Sequence, residues 1–174
     1  HEDIRGDKIA IRDLDSKQDI SYRHLNRRAT SLAAYLQSNG VKRGDRVALL
    51  IRNCPAFFEV QFACSKIGAI CLPLNWRLTP NELSYILNDA TPCALIHDHV
   101  FADIAPDLAS TCDIGLVLEV REPGEDSTYE RSMETKEDYP PAETTHDDVC
   151  MIMYTSGTTG HPKGAMITHG MVFY

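Results

Sequence analysis

The chain has 174 residues, of which 43% are hydrophobic and 24% are charged, which is the balance of a folded globular protein and excludes a collagenous or wholly disordered one. Its 17 basic and 25 acidic residues give a net charge of −8, which disfavours a general nucleic-acid binder, because such proteins cluster lysine and arginine against phosphates. The longest apolar runs fall far short of the ~20 residues that cross a bilayer, so no transmembrane segment is predicted.

The first stretch, HEDIRGDKIAIRD, is charged and lacks the apolar centre of a signal peptide. The cysteines form no C-x-x-C pair and lie mostly in apolar stretches; they are Cys54, Cys64, Cys71, Cys93, Cys112 and Cys150. We interpret them as buried, reduced thiols in preference to a disulfide set or a zinc site. These features together predict a cytoplasmic protein.

A hairpin and a helix are the first predicted elements. KIAIRD, from Lys8, alternates apolar and polar residues as a half-buried strand does, and DISY pairs with it after a turn. Ser21 is the predicted N-cap of a helix that Gly40 ends. Apolar residues recur at helical spacing along it, at Leu25, Ala29, Leu32, Ala33 and Leu36.

Strands and helices then alternate. DRVALLIRN, AICLPLN, CALIHD and GLVLEV are the predicted strands. Pro55 opens a helix after the first of these, which carries the apolar side chains of Phe58, Phe62 and Ile67.

Two further helices lie between the later strands. Thr79, Pro80 and Glu82 form a predicted capping box and first turn for the helix PNELSYILNDA, and VFADIAPDLAS is helical with an interruption at Pro106. Because parallel neighbours need crossover connections, this alternation predicts an α/β fold with a largely parallel sheet flanked by helices.

Residues 119–148 differ in composition from what precedes them. They hold many acidic residues and three prolines, and almost no periodic apolar pattern. We interpret them as a solvated acidic connector between an α/β unit at 8–118 and a strand, loop and returning strand at 149–174. An acidic binding tail is the alternative.

The stretch YTSGTTGHPKGAMITHG, residues 154–170, joins an apolar run to a second alternating one. Glycines let a ligand approach the main chain, successive N–H groups can form an anion-binding concavity, and hydroxyls and a lysine add donors. The order of Gly, Pro and Lys is not that of a Walker loop or a dinucleotide fingerprint. The predicted phosphate-binding residues are Thr155, Ser156, Gly157, Thr158, Thr159, Gly160, Lys163 and Gly164.

YTSGTTGHPKG resembles the signature loop of the adenylate-forming superfamily, which includes acyl- and aryl-CoA synthetases and the adenylation domains of peptide synthetases. RGDRVALLIRNCPAFFEVQFACSKIGAICLPLN and DDVCMIMYTSG are similar to the first strands of that family and to the lead-in of its loop. The resemblance extends from about Lys8 onward, and it identifies residues 1–174 as part of the large N-terminal domain of such an enzyme.

This resemblance implies a two-step reaction. A carboxylic acid reacts with ATP to give an acyl-adenylate and pyrophosphate, and the thiol of coenzyme A then takes the acyl group. The loop from Thr155 to Lys163 is expected to hold the β- and γ-phosphates with Mg²⁺ beside them. The family's acidic metal contact and catalytic lysine fall beyond Tyr174, so no catalytic residue and no metal ligand are predicted within this chain, which is expected to be inactive alone.

The branch of the superfamily is suggested by PLNWRLTPNELSYILND. Asn75, Arg77 and Leu78 are similar to acyl- and aryl-CoA synthetases, including fatty-acid ligases, whereas peptide-synthetase domains more often carry aspartate at the position of Asn75. A fatty-acyl:CoA ligase is therefore predicted. The alternatives are a peptide-synthetase adenylation domain and a naturally short, non-catalytic binding module of the same fold.

Several other residues could take part in a site, but a structural role is the preferred interpretation for each. His97 and His99 are spaced as metal ligands can be, but no second cluster accompanies them. Similarly weak candidates are His24 and Cys64 as a nucleophile pair, Trp76 and Arg77 as an anion site, and His169 as a substrate contact.

Overall fold

The structure is a computed structural model that describes residues 5–134, 141–155 and 162–172. A hairpin comes first, formed by β1 (Ile9–Asp13) and β2 (Gln18–Ser21). The main sheet contains β3 (Arg46–Leu50), β4 (Ile70–Pro73), β5 (Ala94–Asp98), β6 (Leu116–Val120), β7 (Val149–Thr155) and β8 (Lys163–Thr168). The helices are α1 (Tyr22–Ser38), α2 (Pro55–Ile67), α3 (Pro80–Ala90), α4 (Ala105–Thr111), α5 (Thr128–Ser132) and α6 (His169–Val172), with a 3₁₀ turn at His99–Phe101.

The main sheet has the strand order β6-β5-β3-β4-β7-β8. Strands β3 to β7 pair in parallel, whereas β8 returns antiparallel to β7. The predicted α/β class with a largely parallel sheet is therefore confirmed, as are the hairpin at the start and the returning strand at the end.

Helices cover both faces of this sheet. On one face, α1 and α2 form a core with side chains that include Leu32, Leu36, Val60 and Ile67. On the other face, α3 and α4 form a second core. From β3 the chain adds β4 on one side of β3 in the sheet, and then crosses back to add β5 and β6 on the other side. The direction in which strands are added therefore reverses between β3 and β5.

The predicted caps are present. The Ser21 side chain accepts a hydrogen bond from the His24 amide at the start of α1, and Thr79 and Glu82 form a reciprocal capping box at the start of α3. Helix α1 ends at Ser38, and Gly40 follows it with a φ of +90°. These local signals were sufficient because each depends on residues that are close in sequence.

The helix predicted to begin at Pro55 is present as α2, with Phe58 and Phe62 on its exposed side at 42% and 45% exposure. Its buried residues are Ala56, Glu59, Val60, Ala63, Cys64 and Ile67. One helix prediction needs correction. Pro106 does not interrupt a helix. It stands in the first turn of α4, where proline needs no hydrogen-bond partner, after a separate 3₁₀ turn.

The segment expected to be a solvated connector is partly buried. Strand β6 continues to Val120, and Tyr129 and Ser132 of α5 are only 1% and 0% exposed. Glu130 accepts two hydrogen bonds from Arg28 of α1, at 2.9 and 2.7 Å. The prediction failed here because long-range contacts, rather than a periodic pattern, hold this five-residue helix.

Candidate functional site

The base of the predicted phosphate loop is formed by β7 and β8. Tyr154 pairs with Gly164, and Thr155 pairs with Lys163 at the last position before the loop. Thr155 and Lys163 are both exposed. The other predicted phosphate-binding residues, Ser156, Gly157, Thr158, Thr159 and Gly160, lie outside the described residues.

The loop base lies at the carboxyl edge of the sheet. Because β7 is parallel to β4, its end at Thr155 faces the same way as the ends of β3, β4, β5 and β6. Ligands of open α/β sheets bind at this edge, where the loops that follow the strands converge. Thr155 and Lys163 therefore present a hydroxyl and a positive charge where the fold places its ligand-binding loops.

Tyr154 links this base to α3. Its ring packs against the core on the α3 face, and its hydroxyl donates a hydrogen bond to Asp89 Oδ2. Burial raises the pKa of Tyr154, and the hydrogen bond and negative charge of Asp89 raise it further. The phenol is therefore neutral near pH 7 and remains a hydrogen-bond donor.

The side chains of Tyr154 and Ile152 leave no room for a Cβ atom at Gly164. A Cβ atom at Gly164 would lie 2.9 Å from Ile152 Cγ2 and 3.2 Å from two ring carbons of Tyr154. Gly164 was predicted to provide backbone freedom near a ligand. In the structure it lies in β8 without a positive φ, and the neighbouring side chains restrict this position to glycine.

The far end of the hairpin is anchored by main-chain contacts. The amide of His169 donates to the Asp148 carbonyl at 3.0 Å, and that of Gly170 donates to the His146 carbonyl at 2.8 Å. Arg43 binds Asp148 at 2.7 Å. The main-chain amide of His169 thus helps to close this end of the β7–β8 hairpin.

A cleft of about 650 Å³ lies elsewhere on the carboxyl edge, between the β1–β2 hairpin and the ends of β3, β5 and β6. At the reversal of strand order, Arg52 Nε donates to Asp98 Oδ2 at 2.7 Å, and His99 Nδ1 lies 2.9 Å from Asp98 Oδ1. Burial opposes ionisation of Asp98, but hydrogen bonds from Arg52 and the Val100 amide lower its pKa overall. This cleft was not predicted, although Arg52 and Asp98 lie near the ends of two predicted strands.

The inner wall of the cleft is a charged network between helices. Arg28 Nε donates to Glu59 Oε1 at 2.6 Å, and the Tyr129 hydroxyl donates to Glu59 Oε2 at 2.8 Å. Glu59 is only 2% exposed. Since Arg28 also binds Glu130, one guanidinium joins α1, α2 and α5.

The weaker candidates have local contacts. His97 is buried, with Nδ1 3.0 Å from the Asp98 carbonyl. The Arg77 guanidinium lies 4.5 Å from the Trp76 ring centre, and the Arg77 amide donates to the Asn75 side chain. Within residues 5–134, 141–155 and 162–172, no group of three or more His, Cys, Asp or Glu side chains is arranged to hold a metal ion.

All six cysteines are free thiols. Cys64 and Cys71 are fully buried, and burial raises the pKa of both thiols, that of Cys71 to about 12. They are therefore protonated at neutral pH and pack as apolar side chains. Within the described ranges, no helix is long and apolar enough to cross a membrane.

The fold is an α/β domain with a mostly parallel sheet, of the kind found in the N-terminal domains of adenylate-forming enzymes. Residues 2–174 match the family described as AMP-binding enzyme, and the chain belongs to that family. Its structural neighbours are the N-terminal domains of adenylate-forming CoA ligases.

Two curated relatives illustrate the similarity. Feruloyl-CoA synthase of Amycolatopsis sp is 43% identical over 152 residues, which cover 87% of this chain and 28% of that protein. Long-chain-fatty-acid–CoA ligase FadD13 of Mycobacterium tuberculosis is 38% identical over 154 residues, which cover 88% of this chain and 30% of that protein. The chain thus spans less than a third of the length of either relative.

Solved structures show the same fold similarity. The N-terminal domain of FACL13 from Mycobacterium tuberculosis has a TM-score of 0.84 at 32% identity, with 97% of this chain and 42% of that chain covered. ATP-bound MatB from Rhodopseudomonas palustris has a TM-score of 0.83 at 31% identity, with 96% of this chain and 33% of that chain covered.

Proposed function

We propose that the chain is the N-terminal part of an ATP-dependent carboxylic acid:CoA ligase, which forms an acyl-adenylate and then a thioester. The observation that carries the proposal is the pairing of Thr155 with Lys163 at the carboxyl edge of the sheet, at the two ends of a Gly-, Ser- and Thr-rich loop. Its similarity to CoA ligases along nearly the whole chain supports the same reaction class.

The exposed Thr155 hydroxyl and Lys163 ammonium fit an anionic ligand such as the β- and γ-phosphates of ATP. Lys163 would supply positive charge to the departing pyrophosphate, and the hydroxyls and main-chain amides proposed for 155–164 would orient it. We expect Mg²⁺ to bind through the phosphates and an acidic residue beyond Tyr174, and coenzyme A to bind outside this chain.

We further propose a fatty acid as the substrate. The support is the similarity to a long-chain-fatty-acid–CoA ligase together with the Asn75–Leu78 stretch. The greater identity to a feruloyl-CoA synthase makes an aryl acid the competing substrate. A cytoplasmic location is proposed on the basis of six free cysteines, which a reducing compartment preserves.

The test is acid-dependent exchange between ATP and labelled pyrophosphate, catalysed by the longest protein that the gene encodes. The acid panel contains fatty acids of several chain lengths, ferulate and amino acids, so that it separates fatty-acyl, aryl and peptide-synthetase activities. We expect exchange with fatty acids. Exchange with ferulate or an amino acid alone would refute the substrate, and no exchange with any acid would refute the ligase in favour of a non-catalytic module.

Lys163→Ala tests the loop within the same assay. We expect kcat/KM for ATP to fall roughly 10²-fold, because a charged donor to the phosphates is lost. Lys42→Ala is the matched control, since Lys42 is also exposed but precedes β3 at the opposite edge of the sheet. Equal activity of the two variants would contradict a phosphate-binding role for Lys163.

A further inference from the structure

We infer that Tyr154, held by Asp89, is a positioning residue that fixes the base of the phosphate loop. The inference rests on the proposed function, because it concerns the loop that would bind ATP. It assigns the hydroxyl of Tyr154 a role that packing of the ring alone would not require.

The acceptor of this hydrogen bond is an exposed residue on a helix that packs on the sheet. Asp89 is the penultimate residue of α3, which is fixed to the sheet by Leu83, Ile86 and Leu87, all no more than 1% exposed. The Tyr154 hydroxyl donates to Asp89 Oδ2 across the surface between this helix and β7. Tyr154 is therefore tied to a helix packed on the sheet as well as to its own strand.

The ring transmits this constraint to the neighbouring strand. Tyr154 is paired with Gly164, and Cε2 and Cζ of its ring lie 3.2 Å from where a Gly164 Cβ would be. The next pair along the hairpin is Thr155 with Lys163, the two ends of the loop. A shift of the ring would thus displace β8 immediately beside the lysine proposed to contact phosphate.

The sheet itself gives this part of β7 little support. Among the described residues, the recorded parallel pairing of β7 with β4 is Cys71 with Met151, three residues before Tyr154. Beyond that point β7 is paired with β8. The bond to Asp89 therefore supplies a lateral attachment where the parallel ladder has ended.

The simpler interpretation is that Tyr154 is a core side chain whose hydroxyl reaches solvent. In that case phenylalanine would serve equally well. The two interpretations differ in what removal of the hydroxyl does to ATP binding, when the ring remains in place.

The experiment compares variants of the longest protein that the gene encodes, with steady-state pyrophosphate exchange as the assay. Tyr154→Phe and Asp89→Ala each remove the hydrogen bond, whereas Asp89→Asn retains an acceptor oxygen. We expect the first two to raise KM for ATP about 3- to 10-fold, the effect of losing one hydrogen bond, and to leave KM for the acid unchanged. Asp89→Asn should restore most of the affinity.

Tyr35→Phe is the matched control, because it removes a hydroxyl on α1, which packs on the opposite face of the sheet. Unchanged KM for ATP in Tyr154→Phe, or an equal rise in both KM values, would overturn the positioning role. Exchange that is absent in the unsubstituted protein would instead refute the proposed function, so the two failures are distinguishable. Thermal unfolding midpoints identify any variant that fails to fold. If Tyr154→Phe or Asp89→Ala fails to fold, the KM for ATP of Asp89→Asn tests the positioning role instead: a value close to that of the unsubstituted protein supports it, and a rise as large as that of the remaining folded variant overturns it.

Discussion

Replacement of Arg28 by methionine is expected to destabilise the protein strongly. The Arg28 side chain is 18% exposed and faces Glu59, whose side chain is 3% exposed, at 2.6 Å. Removing the guanidinium would leave a buried carboxylate without its countercharge. Such a loss costs about 3–5 kcal/mol, and methionine keeps much of the apolar volume so that cavity formation adds little.

The free energy of unfolding can be measured by urea denaturation followed by circular dichroism. Arg12→Met is the control, because its ion pair with Asp19 has side chains 62% and 45% exposed, and we expect almost no change there. A triple variant, Arg28→Met with Glu59→Leu and Tyr129→Phe, removes the whole buried polar set and should regain most of the lost stability.

The reasoning would be refuted if Arg28→Met cost no more than Arg12→Met. It would also be refuted if the triple variant were less stable than Arg28→Met alone. Either result would mean that burial of Glu59 is not the origin of the loss.

Three further predictions concern stability. Burial raises the pKa of Tyr129 well above 10.0, so the folded state holds this proton more tightly than the unfolded state does. The contribution of Tyr129 to the free energy of unfolding should therefore be complete below pH 10 and fall as the pH rises further. Tyr129→Phe should reduce this loss in urea denaturation at alkaline pH. Gly68→Ala should cost roughly 1–2 kcal/mol by urea denaturation, because φ is +70° and a Cβ would lie 2.9 Å from Arg43 Cγ; Gly40→Ala, in open space, should cost less. Thr79→Ala should lower stability by about 1 kcal/mol in the same assay, through loss of the cap of α3; no change would show that the cap is dispensable.

Much of the fold could be predicted because its signals are local. The apolar run of β3, the caps Ser21 and Thr79, and the glycine after α1 each depend on a few adjacent residues. Helix α5 could not be predicted in this way. Its Tyr129 is buried by contacts with Glu59 and Arg28, which are far away in sequence.

The candidate site shows the same division. The loop motif is contiguous, so the sequence alone indicates Thr155 and Lys163. The partnership of Tyr154 with Asp89 is not visible in the sequence, since it depends on how α3 packs on the sheet. The ion pair of Arg52 with Asp98 likewise arises only when β3 and β5 become neighbours.

The position of β7 has a consequence for the order of folding. β7 pairs with β4, although β5, β6 and α5 intervene in the chain. Closing such a long segment costs more entropy than joining β3 to β4 across α2 alone. The unit from β3 to β6 can therefore assemble first, and the β7–β8 hairpin docks onto a preformed surface. During synthesis the loop base would then be completed only after the unit from β3 to β6 has formed.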